Sequence, residues 1–394
     1  MVRKFEKKYF SFSVQMMKNI LIIMIVTYLP SCKEYSEKKS FKENHNLSKP
    51  LFQIINLKDY KILYVYGNRI PHDTIGTYVL YNRESKKPNL KVPAIYIPTP
   101  VKKIICLSSI YVGAFEKLNE LENIVAIDNK NYIWSDLLSN QINSGKIKEV
   151  GITGNIDVEN TLLLKPELVF TFVSSQNSDR GLARLNESGI PTVFCTEQYE
   201  SDPLKRAEWI KFLAAFFEKE KMADSVFKLT EENYLSLREK VNNQISAKKI
   251  TRPSVITEII YNGTWFVPGG KSYMSTLLKD AGADYFWKDD INKGSLPLSY
   301  EAVYVKAKSA NFWLNVQGWE SLSDCINQDT RNSEFRAFKK KNIYNNTLLK
   351  NKNGSNAYWE KGVFNPEEIL KDLIKIFHPG ILPEHQLKYY KKLS

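Results

Sequence analysis

The chain has 394 residues, enough for two or three ordinary domains, and its 43% hydrophobic content, 25% charged content and 16 prolines mark a globular protein rather than a disordered or fibrous one. Four His and four Cys exclude a disulfide scaffold and any zinc-finger array, and His45, His72, His378 and His385 fall at no close ligand spacing, so no metal site is expected. The net charge is +13, of which residues 33–394 keep +9 scattered as Lys among Glu; with no arginine-rich arm, zinc knuckle or RNP-like motif, no nucleic-acid partner is expected.

The chain opens on a leader. Residues 18–32 combine a basic start, a short apolar run and a small residue before a cleavage point, the parts of a secretory signal. The run falls short of the about 20 apolar residues that span a bilayer. Leu29-Pro30-Ser31-Cys32 resembles a bacterial lipobox, in which the cysteine is acylated and becomes the first mature residue. Residues 1–32 are therefore read as a lipoprotein signal peptide, with Cys32 lipidated, and Met17 would itself make a compact start. Residues 33–50 are polar and read as a tether. Lys33-Glu34 resembles signals that send some lipoproteins to the cell surface. The expected product is a membrane-anchored lipoprotein facing the periplasm or displayed at the cell surface. Cys106, Cys195 and Cys325 then meet an oxidising compartment, but three is an odd number, and buried free thiols are expected.

Residues 51–100 are rich in short strands, Lys61–Tyr66 and Thr77–Tyr81 among them, separated by turn residues, which predicts a β-rich addition. Over 101–202 strands alternate with helices: strands at 101–108, 124–128, 168–172 and 191–195, helices at 113–121 and 158–164, the pattern of a parallel α/β lobe. Asp202-Pro203 opens a connecting helical region over 203–246, Asp as N-cap and Pro at the first helical position. A second α/β lobe fills 247–394, with strands at 255–260 and 311–316 and helices at 274–281, 300–306 and 366–377. The predicted architecture is α/β, two lobes joined by a single long helix, with an N-terminal β-rich addition.

The lobes share a local pattern. Asp157-Val158-Glu159 leads into a helix and then strand 168–172; Ser299-Tyr300-Glu301 leads into a helix and then strand 311–314. Each glutamate lies two positions after a capping residue, in a first helical turn, where the helix dipole favours negative charge by about 0.3–1 kcal/mol. Capping electrostatics explain either one alone; the repetition points to a joint role.

These stretches together resemble the class III substrate-binding proteins of ABC importers, which capture cobalamin, ferric siderophores or haem. The resemblance rests on Val101–Ser109 with Tyr111–Leu121 and Ile124–Asp128, on Asp157–Phe172, on Gly263–Gly282 with Trp265-Phe266-Val267-Pro268-Gly269-Gly270, and on Tyr358-Trp359-Glu360 before Pro366–Leu373. It covers roughly residues 100–380, and the 51–100 segment departs from it. It implies two lobes that sandwich a ligand, and Glu159 and Glu301 as the acids that dock on the two permease subunits. By position in the resemblance, the ligand-binding candidates are Ser109, Tyr111, Lys130, Thr153, Phe172, Trp265, Phe266, Ser295, Tyr358 and Trp359. Aromatic faces suit a corrin, a porphyrin or a catecholate, each large and flat, while ordinary core packing competes for every ring. Arg206 and Arg336 could meet an anionic ligand, but surface pairing is expected for both.

Other chemistries find no support. Gly269-Gly270-Lys271-Ser272 ends like a phosphate loop, but position 265, where the first glycine belongs, is Trp. No Gly-x-Ser-x-Gly elbow or His-Glu-x-x-His occurs, so neither catalytic residues nor a cofactor are expected. The reading is a monomeric, non-enzymatic receptor for a ferric siderophore, haem or cobalamin that delivers it to ABC permease subunits. The alternative is a surface accessory or scavenging lipoprotein of the same fold that docks on no permease.

Overall fold

In a computed structural model the chain is described over residues 50–68, 73–152, 154–173 and 180–394. The leader, Cys32, the tether up to residue 49 and Thr153 lie outside the described residues. Strands β1 (Phe52–Asn56), β2 (Tyr60–Tyr66), β3 (Thr74–Asn82) and β4 (Ile95–Thr99) form one sheet, antiparallel except for the β3–β4 pair. Alternation along these strands turns Leu63, Val65, Tyr78, Leu80 and Ile97 toward a common core.

The first lobe follows as β5 (Ile104–Cys106), α1 (Ser109–Lys117), β6 (Ile124–Ile127), α2 (Asp136–Asn143), β7 (Lys148–Glu149), α3 (Val158–Leu163), β8 (Leu168–Phe172), α4 (Arg180–Glu187) and β9 (Thr192–Cys195). Its sheet runs β7-β6-β5-β8-β9, all parallel. Near-continuous apolar runs such as Leu168–Phe172, interrupted only by Thr171, are what a sheet covered on both faces demands. Helix α5 (Pro203–Ala215) covers one face, its N-terminus capped by Asp202, whose side chain accepts from the N–H groups of Leu204 and Lys205. Trp209 and Phe212 of α5 also meet Phe52 of the added sheet, at ring separations of 5.0 and 5.7 Å.

The helical stretch between the lobes is two helices. It breaks after α5, where Glu218 takes a left-handed φ of 57°, and resumes as α6 (Glu220–Ser246), 27 residues long. The cause is packing: Phe216 and Phe217 turn edge-on into Phe170 and Phe115 of the first lobe, at 5.1 and 5.2 Å. Helix α6 is the single long element of the connection.

The second lobe contains β10 (Ser254–Thr257), β11 (Ile260–Tyr261), β12 (Thr264–Pro268), α7 (Tyr273–Asp280), β13 (Asp284–Tyr285), β14 (Ser295–Leu298), α8 (Tyr300–Ala307), β15 (Phe312–Leu314), α9 (Leu322–Gln328), α10 (Arg336–Lys339), β16 (Ile343–Asn345), α11 (Ala357–Glu360), α12 (Pro366–Phe377) and β17 (Lys391–Lys392). The main sheet runs β13-β10-β15-β16-β17 and is parallel except for β17. An antiparallel β11-β12-β14 sheet stands beside it, its first turn made by Asn262-Gly263, both at positive φ. Near the C-terminus the chain touches both cores: Val363 and Phe364 pack with the first lobe, Ile369 onward with the second. Cys106, Cys195 and Cys325 are free and buried, as expected. Among the described residues, no helix is long and apolar enough to cross a membrane.

Candidate functional site

In open parallel sheets ligands sit at the carboxyl ends of the strands, where the chain leaves each strand for the next helix. In the second lobe two of these exits are sharply turned. After β10, Glu258 has φ 63°, and after β15, Asn315 has φ 56°. Backbone bonds fix the turns: the Glu258 N–H donates to the Leu314 carbonyl at 3.0 Å, and the Trp313 indole donates to the Glu258 carbonyl at 2.8 Å. Glu258 and Gln317 from these exits, with Tyr261, Phe266, Pro268 and Ser295 from the small sheet, line a cavity of about 570 Å3. That volume lies in the range of small-molecule sites. Burial pushes the Glu258 carboxyl up to about 8, against the pull of a hydrogen bond from Asn315. Among the described residues lining this cavity there is no basic side chain.

The first lobe offers a matching set of strand exits. Ser109 follows β5, Asp128 follows β6, Phe172 ends β8 and Thr196 follows β9. Burial raises the Asp128 carboxyl to about 6, although the Asn129 N–H donates to it at 2.7 Å. Lys130 is exposed and faces Glu149 at 3.6 Å.

The candidate residues therefore separate into three groups. Phe266 and Ser295 share the second-lobe cavity, and Ser109, Lys130 and Phe172 stand at first-lobe strand exits. Trp265, Tyr111 and Tyr358 are placed otherwise: each is at most 2% exposed. Adjacent residues of a strand point to opposite faces, so where Phe266 lines the cavity Trp265 must enter the core, stacked on Trp313 at 5.5 Å. Tyr358 packs edge-on against Tyr389 and Tyr390, leaving Trp359, 44% exposed, as the outward ring of that pair. Thr153 lies outside the described residues. Sequence reasoning missed Glu258, Tyr261 and Gln317; the Asn262-Gly263 turn was the available signal that strand 255–260 bends there. Arg336 is exposed. Arg206, expected on the surface, is 8% exposed and lies 4.9 Å from the Tyr273 ring with no ion pair among the described residues.

Glu159 and Glu301 are both exposed in first helical turns, behind the N-caps Asp157 and Ser299, whose side chains accept from Asn160 and Ala302 N–H groups. Arg331 donates to Glu301 at 3.1 Å and to Asp329 at 2.7 Å, while Glu159 has no ion pair among the described residues. A larger hollow of about 700 Å3 lies between the end of α6 and the segment after α12, lined by Lys240, Lys248, Lys249, Pro253 and His378. It adjoins the amino end of β10, the opposite edge from a parallel-sheet ligand site.

A family model described as periplasmic binding protein matches residues 104–346. An uncharacterized lipoprotein of Methanocaldococcus jannaschii is 27% identical over 322 residues, 79% of this chain and 72% of the relative. Solved structures of other proteins share the fold, among them the following two. A periplasmic heme binding protein from Pseudomonas aeruginosa superposes with a TM-score of 0.58 at 14% identity, over 75% of this chain and 98% of that one. A possible iron-binding (periplasmic solute-binding) protein from Staphylococcus epidermidis gives 0.55 at 19% identity, over 71% of this chain and 100% of that one.

Proposed function

The chain belongs to the periplasmic binding protein family, and from that premise we propose that it is a lipid-anchored solute receptor that delivers its cargo to an ABC importer. The cargo is a ferric siderophore, haem or cobalamin, held between the strand exits of the two lobes. The observation that carries this reading is the cavity of about 570 Å3 at the carboxyl edge of the second-lobe sheet, where Phe266 offers an aromatic face beside Glu258 and Ser295. Names of fold relatives that bind heme or iron support the cargo class, and the lipoprotein name of a sequence relative supports acylation at Cys32. Glu159 and Glu301 are the docking acids, one on each lobe; steering by exposed charges raises the association rate more than the final affinity.

The test is a tryptophan-fluorescence titration of residues 33–394 with cobalamin, haem and a panel of ferric siderophores, corrected for absorbance by the ligand. Saturable, stoichiometric quenching by one of them is expected, since Trp265 and Trp313 lie directly behind the cavity. Silence across the panel would remove the cargo assignment. The four-stranded sheet over residues 52–99 favours a second reading, an accessory surface lipoprotein that docks on no permease. Reversing the charges of Glu159 and Glu301 separates the two: importer docking requires cargo binding to survive while uptake fails.

A further inference from the structure

The two docking helices agree in more than their glutamates. Helix α3 is buried at Val158 and Thr161, half-buried at Leu162 and exposed at Glu159, Asn160 and Leu163. Helix α8 repeats that order: Tyr300 and Val303 buried, Tyr304 half-buried, Glu301, Ala302 and Val305 exposed. Each glutamate is thus followed four residues later, on the same helix face, by an aliphatic side chain left almost entirely in solvent, Leu163 at 76% and Val305 at 77%. Single exposed apolar residues are ordinary. The same acid–aliphatic pair at the same register on both lobes, behind equivalent caps, is not accounted for by folding, because neither aliphatic side chain contributes to a core cluster.

We propose that Leu163 and Val305 are the apolar half of a two-point docking surface. Its occupant is a membrane transporter built of two like halves, each offering a basic side chain and, one helical turn away, a socket for an aliphatic group. Charge complementarity with Glu159 and Glu301 and the repetition on both lobes select that occupant over a symmetric contact with a second copy of this chain, which would bring acid against acid. The inference rests on the docking role of the two glutamates and adds to it the contacts that hold the encounter once charge has steered it. Arg331 makes the corners unequal: it already occupies Glu301, so the second-lobe corner must exchange this internal partner for the transporter's cation.

The experiment measures saturable binding of fluorescently labelled residues 33–394, which carry every described element, to right-side-out membrane vesicles from a source strain lacking the gene. Burying one such side chain is worth about tenfold in affinity or more, so L163Q and V305Q should each weaken binding about tenfold and the double variant about a hundredfold. L229Q, a 61% exposed leucine on α6, should leave binding unchanged, and unaltered circular dichroism would confirm that each variant is folded. E159K/E301K should abolish binding. If that variant abolishes it while L163Q/V305Q binds like wild type, the apolar contacts are overturned and the docking acids stand. If wild type shows no saturable binding, or E159K/E301K leaves it intact, both fall.

Discussion

Replacing Glu258 by Gln tests the second-lobe wall of the cleft without disturbing its packing, because the amide has the carboxyl's shape. Burial carries that carboxyl from 4.5 up to about 8. The folded chain therefore holds a proton that the unfolded chain releases above about pH 4.5, and stability falls as pH rises between those two values. One pKa unit corresponds to about 1.4 kcal/mol, which sets a ceiling of about 5 kcal/mol. Glu258 is only half-buried, and solvent screening brings the expected loss to about 2–3 kcal/mol. E258Q should match wild type near pH 5 and exceed its stability by that amount near pH 9. Urea unfolding of both proteins at pH 5, 7 and 9 reads the difference directly, since Asp128 and Glu360 titrate in both and cancel. A gap of the same size at all three pH values would mean that the carboxyl does not titrate in a buried setting.

Trp265→Ala removes a fully buried ring stacked on Trp313 and should cost about 3–5 kcal/mol in unfolding free energy. Phe266→Ala, one residue on and half in solvent, should change stability by less than about 0.5 kcal/mol yet weaken cargo binding in the fluorescence titration. Glu360→Ala strips the acceptor from the half-buried N–H of Trp134 and the buried N–H of Ser135 and should cost about 2–4 kcal/mol, seen as a lowered urea midpoint. Burial pushes the thiols of Cys106, Cys195 and Cys325 up, so a thiol reagent such as DTNB should react with none of them in the native state and with all three in urea.

The parallel units were legible because their signals are local. The apolar run Leu168–Phe172 became β8 residue for residue, and Asp202-Pro203 and Ser299 cap the helices they announced. What escaped was set by tertiary packing. No glycine or proline marks the break between α5 and α6; Glu218 pays the left-handed strain so that Phe216 and Phe217 can enter the first-lobe core. The end of β10 was hidden for the same reason, since Glu258 is again a non-glycine residue at positive φ. Ring positions in the site were half legible: strand alternation requires that only one of Trp265 and Phe266 face the cavity, but which one depends on the register of β12 against β14, a non-local pairing. Arg206 reads as a surface residue because its neighbours Lys205 and Glu208 are polar, yet it lies where α5 meets the ring of Tyr273.

How far the lobes can move follows from the second place where the chain joins them. There the Glu360 carboxylate, fully buried, accepts the N–H groups of Trp134 at 2.5 Å and Ser135 at 3.0 Å. Lys361 pairs with Glu116 at 2.8 Å. Helix α1 sits directly on this segment, so closely that a Cβ at Gly113 would fall 1.8 Å from the Glu360 carbonyl oxygen, and only glycine fits. Swinging the first lobe away would have to break the bonds of one buried and one half-buried donor, at about 1–3 kcal/mol each, while α6 joins the lobes on the other side. Opening is thereby opposed at both connections, and on the reading proposed above the cargo meets a cleft whose walls are largely in place beforehand. If the chain is the importer receptor proposed above, release needs work from outside, applied to both lobes at once, and the proposed docking surface with one acid–aliphatic pair on each lobe is an arrangement through which a two-fold transporter would supply it.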